Sequence, residues 1–441
     1  MKVVILGNGV AGITAAIRIR QKQPDWSITV ISGESEHHYS RPALMYVFMG
    51  HMRYEDTKPF EDRFWKEKRI DLVRAWVTQI DVAGKRLHFD GQAQPMGYDR
   101  LLVATGSTPN KFGWPGQDLD GVQGLYGLQD LELLSRNIRG VRHAVVVGGG
   151  LIGIELAEML RSRNIPVTFL VRETAFWNIV IPDDEARMIN RIIEEEGLGL
   201  VLETELREIV DDGTGRVTGV VTSRGDRIDC QFVGLTTGVR PNIAVVERSG
   251  IPTGRGVLVD RSLRTRVSGV YAAGDCAEIV TGQERNLVQQ VWYTGRMQGR
   301  VAGDVIAGEE CAYDPGIWFN SAKFLDLEYQ VYGRVEQNVP GEGNLFWMHR
   351  DGRHSLRIVY TDDGVIGFNL LGIRYRHEVC ERWIREQRPI DWVLEHLGEA
   401  NFDPEFFERY EREIVRAFEL QLSRDRSGSD AGALQPVPPT S

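Results

Sequence analysis

The sequence predicts an α/β chain in which two copies of one strand–turn–helix–strand unit precede an α+β C-terminal domain. Three observations predict it: glycines at 7, 9 and 12 behind an apolar strand, the same spacing at 148, 150 and 153 behind a second, and a change near Pro315 to aromatic-rich strands. The 441 residues exceed what one hydrophobic core supports, so two or three packed domains are expected.

The first unit runs from Val3-Val4-Ile5-Leu6 through Gly7, Gly9 and Gly12 to a helix bearing Ile13, Ala16 and Ile17, stopped by Pro24. Its returning strand is Ile28 to Ile31. The second runs from Ala144-Val145-Val146-Val147 through Gly148, Gly150 and Gly153 to a helix with Ile152, Leu156, Met159 and Leu160 on one face, and returns at Val167 to Val171. Short strands at 100–104, 232–236 and 270–273 connect the units. Beyond Pro315, strands around Phe324, Tyr329, Tyr332, Phe346 and Trp347 lead to helices near 377–388 and 404–422. From Ser423 the composition turns to Ser, Gly, Asp and Pro, too apolar-poor to offset the entropy of ordering, so 423–441 reads as a disordered tail.

Composition excludes several functions. A formal charge of −10 opposes attraction to a phosphate backbone, so no nucleic acid partner is expected. No stretch approaches the roughly 20 apolar residues of a membrane-spanning helix. The N-terminal apolar residues alternate with glycines and run into a helix, unlike a secretory signal. Cys230, Cys276, Cys311 and Cys380 form neither a CxxC pair nor a metal-ligand spacing, so neither disulfides nor a metal are expected. These features together favour the cytoplasm.

Each glycine set has the context that makes the pattern informative: one glycine permits the tight turn, one the approach of a pyrophosphate, one helix–sheet packing, with the helix N-terminus facing the phosphates. Glu34 lies just past the first returning strand, near the offset at which a carboxylate accepts hydrogen bonds from adenosine ribose. The second unit has no acid there; Val171 and Arg172 precede Glu173. Arg172 suits a 2′-phosphate or a solvated surface equally, which leaves NAD and NADP open.

Three further stretches, Tyr98-Asp99-Arg100-Leu101-Leu102-Val103-Ala104-Thr105-Gly106, Thr236-Thr237-Gly238-Val239-Arg240-Pro241-Asn242 and Val270-Tyr271-Ala272-Ala273-Gly274-Asp275-Cys276, carry a resemblance to a known family. With the glycine sets they resemble the two-domain flavoproteins of the pyridine nucleotide-disulfide oxidoreductase superfamily, over about residues 1–308. The resemblance implies FAD at Gly7, Gly9, Val10, Ala11, Gly12, Glu34, Arg41, Pro42, Val77, Ala104, Thr105, Gly106, Gly274 and Asp275. It implies NADH or NADPH at Gly148, Gly150, Leu151, Ile152, Gly153, Glu155 and Gly238, beside the candidate Arg172, with Glu155 and Arg41 as catalytic residues.

The stretch Tyr39-Ser40-Arg41-Pro42-Ala43-Leu44 decides the branch. Several relatives carry a redox cysteine there; this chain has none, and a disulfide reductase or cysteine peroxidase needs a thiolate beside the flavin. The pattern resembles rubredoxin and ferredoxin reductases, the flavoprotein part of nitrite reductases and some NADH oxidases. Some of those relatives place a lysine after the Arg-Pro pair to partner the family glutamate. Met45 and Tyr46 stand here instead.

The expected architecture is therefore two Rossmann-like dinucleotide-binding domains, a discontinuous FAD domain (1–110 and 240–315) with an NAD(P) domain (111–239) inserted, then a C-terminal interface domain (316–422) whose aromatics suit a homodimer. The expected function is transfer of electrons from NAD(P)H through flavin to a separate acceptor, a rubredoxin- or ferredoxin-type or other iron–sulfur protein. The alternatives are an NADH oxidase or quinone reductase, and a redox-responsive FAD/NAD(P)H-binding protein with slow turnover. Arg353, Arg357, Arg374, Arg376, Arg382, Arg385 and Arg388 form either a docking patch for an acidic carrier or a solvated face of ion pairs. His377 and Cys380 share a helix face and read as packing rather than a metal pair.

Overall fold

The computed structural model describes residues 1–91, 94–336, 339–402, 405, 406 and 408–430, the last six without their side chains. The chain divides into two compact units: Met1–Arg172 with Leu198–Pro315, and Glu173–Gly197 with the chain from Gly316 onward.

In the first unit, β-branched and leucine-rich runs form strands buried on both faces, as a parallel sheet requires. The first sheet has the order Val270–Ala272, Arg100–Val103, Lys2–Leu6, Ser27–Ser32, Ile70–Arg74, all parallel. Helix Val10–Lys22 follows its central strand. Helix Trp292–Ala307 packs closely on that helix, because Gly295, Gly299 and Gly303 recur every four residues; a Cβ on Gly299 would stand 2.4 Å from the Ala11 carbonyl oxygen.

The second sheet repeats the design in the order Gly199–Val201, Val167–Leu170, Ala144–Val147, Phe232–Leu235, Val122–Gln123, again parallel. Two crossing strands, Ser107–Pro109 and Val239–Pro241, pair antiparallel between the two sheets' segments. The crossing is fastened by the Thr105 hydroxyl donating to the Asn242 carbonyl at 2.6 Å and the Asn242 N–H donating to the Gly106 carbonyl at 2.9 Å.

The second unit is a five-stranded antiparallel sheet, in the order Phe319–Phe324, Leu327–Gly333, Gly364–Leu371, Ser355–Thr361, Gly343–Met348, with helices His377–Arg385, Ile390–His396 and Glu411–Asp430. Trp383, Phe368, Tyr332 and Phe418 are almost wholly buried in its core. Residues 173–197, adjacent in sequence to the second glycine unit, belong here: Trp177 packs on Phe324 and Tyr329, and a buried ion pair ties Glu185 to the sheet. Glu185 is fully buried and accepts from Arg357 Nε and Nη2, each at 2.8 Å, and from Asn369 Nδ2 at 3.1 Å. Leaving either partner alone would strand a buried charge.

Two expectations are corrected. The helix near 377–388 ends at Arg385, because Gln387 takes φ +50° and Pro389 follows; a separate helix starts at Ile390. The last helix begins at Glu411 and continues to Asp430, so 423–430 is helical rather than part of a tail. Ile414, Phe418 and Leu422 dock one face in the core, and elongation beyond a docked helix is easy. The remainder of the expected tail, 431–441, lies outside the described residues. Among the described residues no helix is long and apolar enough to cross a membrane.

Candidate functional site

Both glycine turns are enforced by the protein's own backbone. Gly7 has φ +117°, and a Cβ there would fall 2.0 Å from the Ala104 carbonyl oxygen; one on Gly12 would fall 2.0 Å from the Gly7 carbonyl oxygen. Gly9 differs: nothing lies within 4 Å of where its Cβ would be, so that face of the backbone is open. The helix it begins has no side-chain cap and no acid in its first turn. Its first N–H groups have no partner inside the helix and present partial positive charge to an anion.

Glu34 sits half-buried beside this turn in a network of donors. Its Oε1 accepts from Arg41 Nη1 at 2.9 Å, from the Leu128 N–H at 2.9 Å and from the Tyr39 hydroxyl, while Oε2 accepts from Arg41 Nη2 at 2.7 Å. Burial acts to raise the Glu34 carboxyl, but the Arg41 bonds and charge, with Tyr39 and Leu128, hold it below the usual carboxylate range. Pro42 presets the short turn Arg41–Ala43 that aims Arg41 inward. Its guanidinium also donates to the Tyr126 carbonyl at 2.8 Å and lies over the Tyr126 ring at 4.4 Å.

Tyr126 then joins Glu34 and Arg41 to Asp275. Its hydroxyl donates to Asp275 Oδ2 at 3.2 Å and accepts from the Ser107 N–H at 3.0 Å. The Ser107 hydroxyl donates to the same Asp275 oxygen at 2.9 Å, and Gln290 Nε2 donates to Ser107 Oγ at 2.7 Å. Burial raises the Asp275 carboxyl above its ordinary value, against those hydrogen bonds. Gly274, at φ +80°, brings this strand end against Ala11. The structure thus gathers Gly7, Gly9, Val10, Ala11, Gly12, Glu34, Arg41, Ala104, Thr105, Gly106, Gly274 and Asp275 into one region. Pro42 is exposed, and Val77 is half-buried at the start of its strand. Sequence reasoning missed Tyr126, Ser107, Leu128 and Gln290.

The second turn is similar in backbone and different in side chains. Gly148 has φ +118°, with a would-be Cβ 2.7 Å from the Thr236 carbonyl oxygen; one on Gly153 would meet the Thr236 hydroxyl at 2.8 Å, and nothing approaches Gly150. The helix Leu151–Arg161 starts uncapped and without acids. Leu151 and Ile152 are half-buried, Gly238 at φ +85° lies at the crossing, and Arg172 is exposed just past Val171. Glu155 is half-buried, and among the described residues no hydrogen-bond or ion-pair partner meets its carboxyl. Burial, with Glu158 nearby, pushes it up to about 7. The segment Leu44–Met49 packs against this helix, with Met45 buried, so no lysine compensates Glu155.

All four cysteines are free thiols. Cys276 is sealed behind Asp275, 3.5 Å from the Val103 and Ala273 carbonyl oxygens, and burial raises its pKa. Burial, with Asp229 nearby, pushes Cys230 up to about 12; burial likewise raises Cys380, with Glu378 nearby, and Cys311, with Asp304 and Glu309 nearby. None is a ready thiolate.

In the second unit Cys380 is buried and the His377 ring packs on Phe319 and Tyr332, centroids 4.2 and 5.4 Å away, as packing residues do. The arginines read as either a docking patch or a face of ion pairs are mostly in ion pairs. Arg353 meets Glu195 and Glu196, Arg357 meets Asp184 and Glu185, Arg374 meets Glu328, Arg382 meets Glu399, Arg385 meets Glu381 and Arg388 meets Glu386. Arg376 donates to the Phe402 carbonyl.

A family model described as pyridine nucleotide-disulphide oxidoreductase matches residues 1–299. An NADH oxidase of Methanocaldococcus jannaschii is 32% identical over 341 residues, 74% of this chain and 75% of that protein. A rubredoxin-NAD(+) reductase of Pseudomonas putida is 29% identical over 279 residues, 63% of this chain and 72% of that protein. The solved structure of an NAD-dependent persulfide reductase from A. fulgidus superposes with a TM-score of 0.84 at 25% identity, covering 97% of this chain and 84% of that one.

Proposed function

The chain belongs to the pyridine nucleotide-disulphide oxidoreductase family, and on that premise we propose that it is an FAD-dependent NAD(P)H oxidoreductase that hands electrons to a separate acceptor. The observation that carries this reading is the pairing of two uncapped, acid-free helix N-termini behind glycine turns with an absence of any cysteine before Cys230.

The residues present fit FAD. Among the described residues Glu34 Oε2 accepts only from Arg41, which leaves it able to accept from a ribose hydroxyl, and Gly9 leaves its backbone open to pyrophosphate. Gly7, Gly9, Val10, Ala11, Gly12, Glu34, Pro42, Val77, Ala104, Thr105, Gly106, Gly274 and Asp275 would hold it. When bound, FAD takes a hydride from NAD(P)H and passes two electrons on, singly or together, which is chemistry no side chain here supplies. The protein's own task is alignment. Gly148, Gly150, Leu151, Ile152, Gly153, Arg172 and Gly238 would seat the nicotinamide nucleotide, and Glu155 would hold or release a proton beside it. Arg41 would act as a positioning residue, since it already clamps Glu34 and Tyr126.

The acceptor we favour is a rubredoxin- or ferredoxin-type or other iron–sulfur protein. The rubredoxin reductase relative and the lack of a thiol relay support it. The oxidase relative supports direct reduction of oxygen as the second reading. A homodimer is supported by Trp318, Met348 and Phe402, exposed on the second unit, and a reducing cytoplasm by four unpaired thiols.

Anaerobic stopped-flow mixing with NADH and then NADPH, followed by a second mix with rubredoxin, ferredoxin or oxygen, tests the scheme. Rapid flavin bleaching and faster reoxidation by a carrier than by oxygen is the expected result. Protein that stays colourless after reconstitution with FAD would refute it.

A further inference from the structure

A cluster in the second unit lies outside everything derived so far. The strands Gly343–Met348 and Ser355–Thr361 are joined by a tight hairpin, closed by the His349 N–H donating to the His354 carbonyl at 2.8 Å and the Gly352 N–H donating to the His349 carbonyl at 2.9 Å. Gly352, at φ +66°, makes the turn. The hairpin brings His349 and His354 to facing positions with Asp351 between them. One donor atom from each lies within 4.8 Å of the other two.

We propose that His349, Asp351 and His354 form a binding site for one divalent first-row transition-metal ion of the zinc type, stapling the hairpin and leaving a coordination position open to water. Two imidazoles and a carboxylate are a donor set that zinc accepts, and tetrahedral bonds of about 2.0–2.1 Å place donors about 3.3 Å apart. The His354 and His349 Nδ1 atoms stand 2.7 and 2.9 Å from Asp351 Oδ2, so only small movements are needed. The His349 nitrogen points to a ligand most directly. It is closed to solvent and, although 2.9 Å from Asp351 Oδ2, makes no well-aligned hydrogen bond there, so an ion held between the two atoms would satisfy both. Asp351 Oδ1 is fixed by the Arg353 N–H at 2.8 Å, and Oδ2, which faces both imidazole Nδ1 atoms, is the oxygen the ion would take.

The surroundings hold the rings in place. The Tyr410 ring stands 5.1 Å from His349 and 4.9 Å from His354, and Trp347 lies 5.9 Å from His349, supporting the ligands from behind. Of the two arginines in the hairpin, Arg350 and Arg353, Arg353 is compensated by Glu195 at 3.0 Å and Glu196 at 3.6 Å. Arg191 donates to the Gly352 carbonyl and pairs with Glu195.

The test uses the full-length, untagged, FAD-loaded chain, stripped with a chelator and titrated with Zn²⁺ against a competing chromophoric chelator. One zinc per chain is expected, unaffected by excess Mg²⁺, with affinity at least about 10-fold lower in His354→Gln and in Asp351→Asn while the flavin spectrum is retained. A second measurement needs no variant: Zn²⁺ should protect His349 and His354, and not His51 or His88, from acylation by diethyl pyrocarbonate. Equal zinc binding by the wild type and the His349→Gln/His354→Gln double variant would overturn the site. So would wild-type labelling of both histidines that zinc leaves unchanged, which would reduce the cluster to an aspartate hydrogen-bonded to imidazole.

Discussion

The two glycine units share a backbone and differ in what stands around it. In the first, the returning strand is followed by Glu34, which is tied to Arg41, Tyr39 and Leu128 and through Tyr126 to Asp275, so its polar groups are fixed before any ligand arrives. In the second it is followed by Val171 and exposed Arg172, and the half-buried Glu155 on its helix has no partner among the described residues. A preorganised site loses less freedom on binding and holds its ligand longer. The difference matches a resident cofactor on one side and a co-substrate that must come and go on the other.

Paired glycine substitutions are the harshest way to break that comparison. Gly7→Ala would meet the Ala104 carbonyl at 2.0 Å and sit at φ +117°, which together destabilise by at least about 3 kcal/mol. It should yield little soluble protein and no bound flavin. Gly148→Ala is strained in the same way but more gently, its Cβ 2.7 Å from the Thr236 carbonyl. It should keep flavin at one per chain and lose NAD(P)H-dependent bleaching. If both variants lost flavin equally, the division of labour between the turns would be wrong.

Arg41→Ala sharpens the comparison on the first side alone. Removing the bidentate partner of a half-buried carboxylate costs about 1–3 kcal/mol, and flavin affinity should fall by roughly 5- to 150-fold. The Glu34 carboxyl is held below its usual range in the folded protein, so this stabilisation is present above its unfolded value of about 4.3 and is lost as pH falls through the folded value. The melting-temperature gap between wild type and variant should therefore close on acidification. A gap that stayed constant down to strongly acid pH would mean Arg41 acts by packing alone.

Much of the first unit is legible in the sequence because each glycine answers a local demand: a positive φ at Gly7 and Gly148, or a backbone oxygen too close for a Cβ at Gly12 and Gly153. Those demands repeat with fixed spacing, so they can be read without coordinates. Tyr126 could not be read that way. It stands in Gly124-Leu125-Tyr126-Gly127 with no periodic signal, and its importance comes from three partners, Arg41, Ser107 and Asp275, up to 149 residues distant. The Arg357–Glu185 pair is hidden for the same reason; a charged residue reads as surface until its partner, 172 residues away, is seen. His349, Asp351 and His354 escaped because their spacing is set by a hairpin rather than by a helix or a familiar ligand motif.

The mildest test concerns the second side. With its carboxyl pushed up to about 7, Glu155 changes charge within the working range, and because the folded value is raised, the stability it contributes is fully present below about 4.3 and lost as pH rises through about 7. It lies in the second turn of the helix whose N-terminus would receive the pyrophosphate, so the ionised form competes with the incoming anion for the same partial positive charge. Such helix-end interactions amount to at most about 1 kcal/mol and fall off beyond the first turn, so the change in affinity is at most about fivefold. Nicotinamide-nucleotide binding, measured by flavin reduction at a series of nucleotide concentrations, should therefore tighten as pH falls from 8 to 6. Glu155→Gln should hold the low-pH affinity throughout. If that variant kept the inflection, the titrating group would lie elsewhere, and the acid without a partner among the described residues that distinguishes the second glycine turn would have no part in its exchangeable binding.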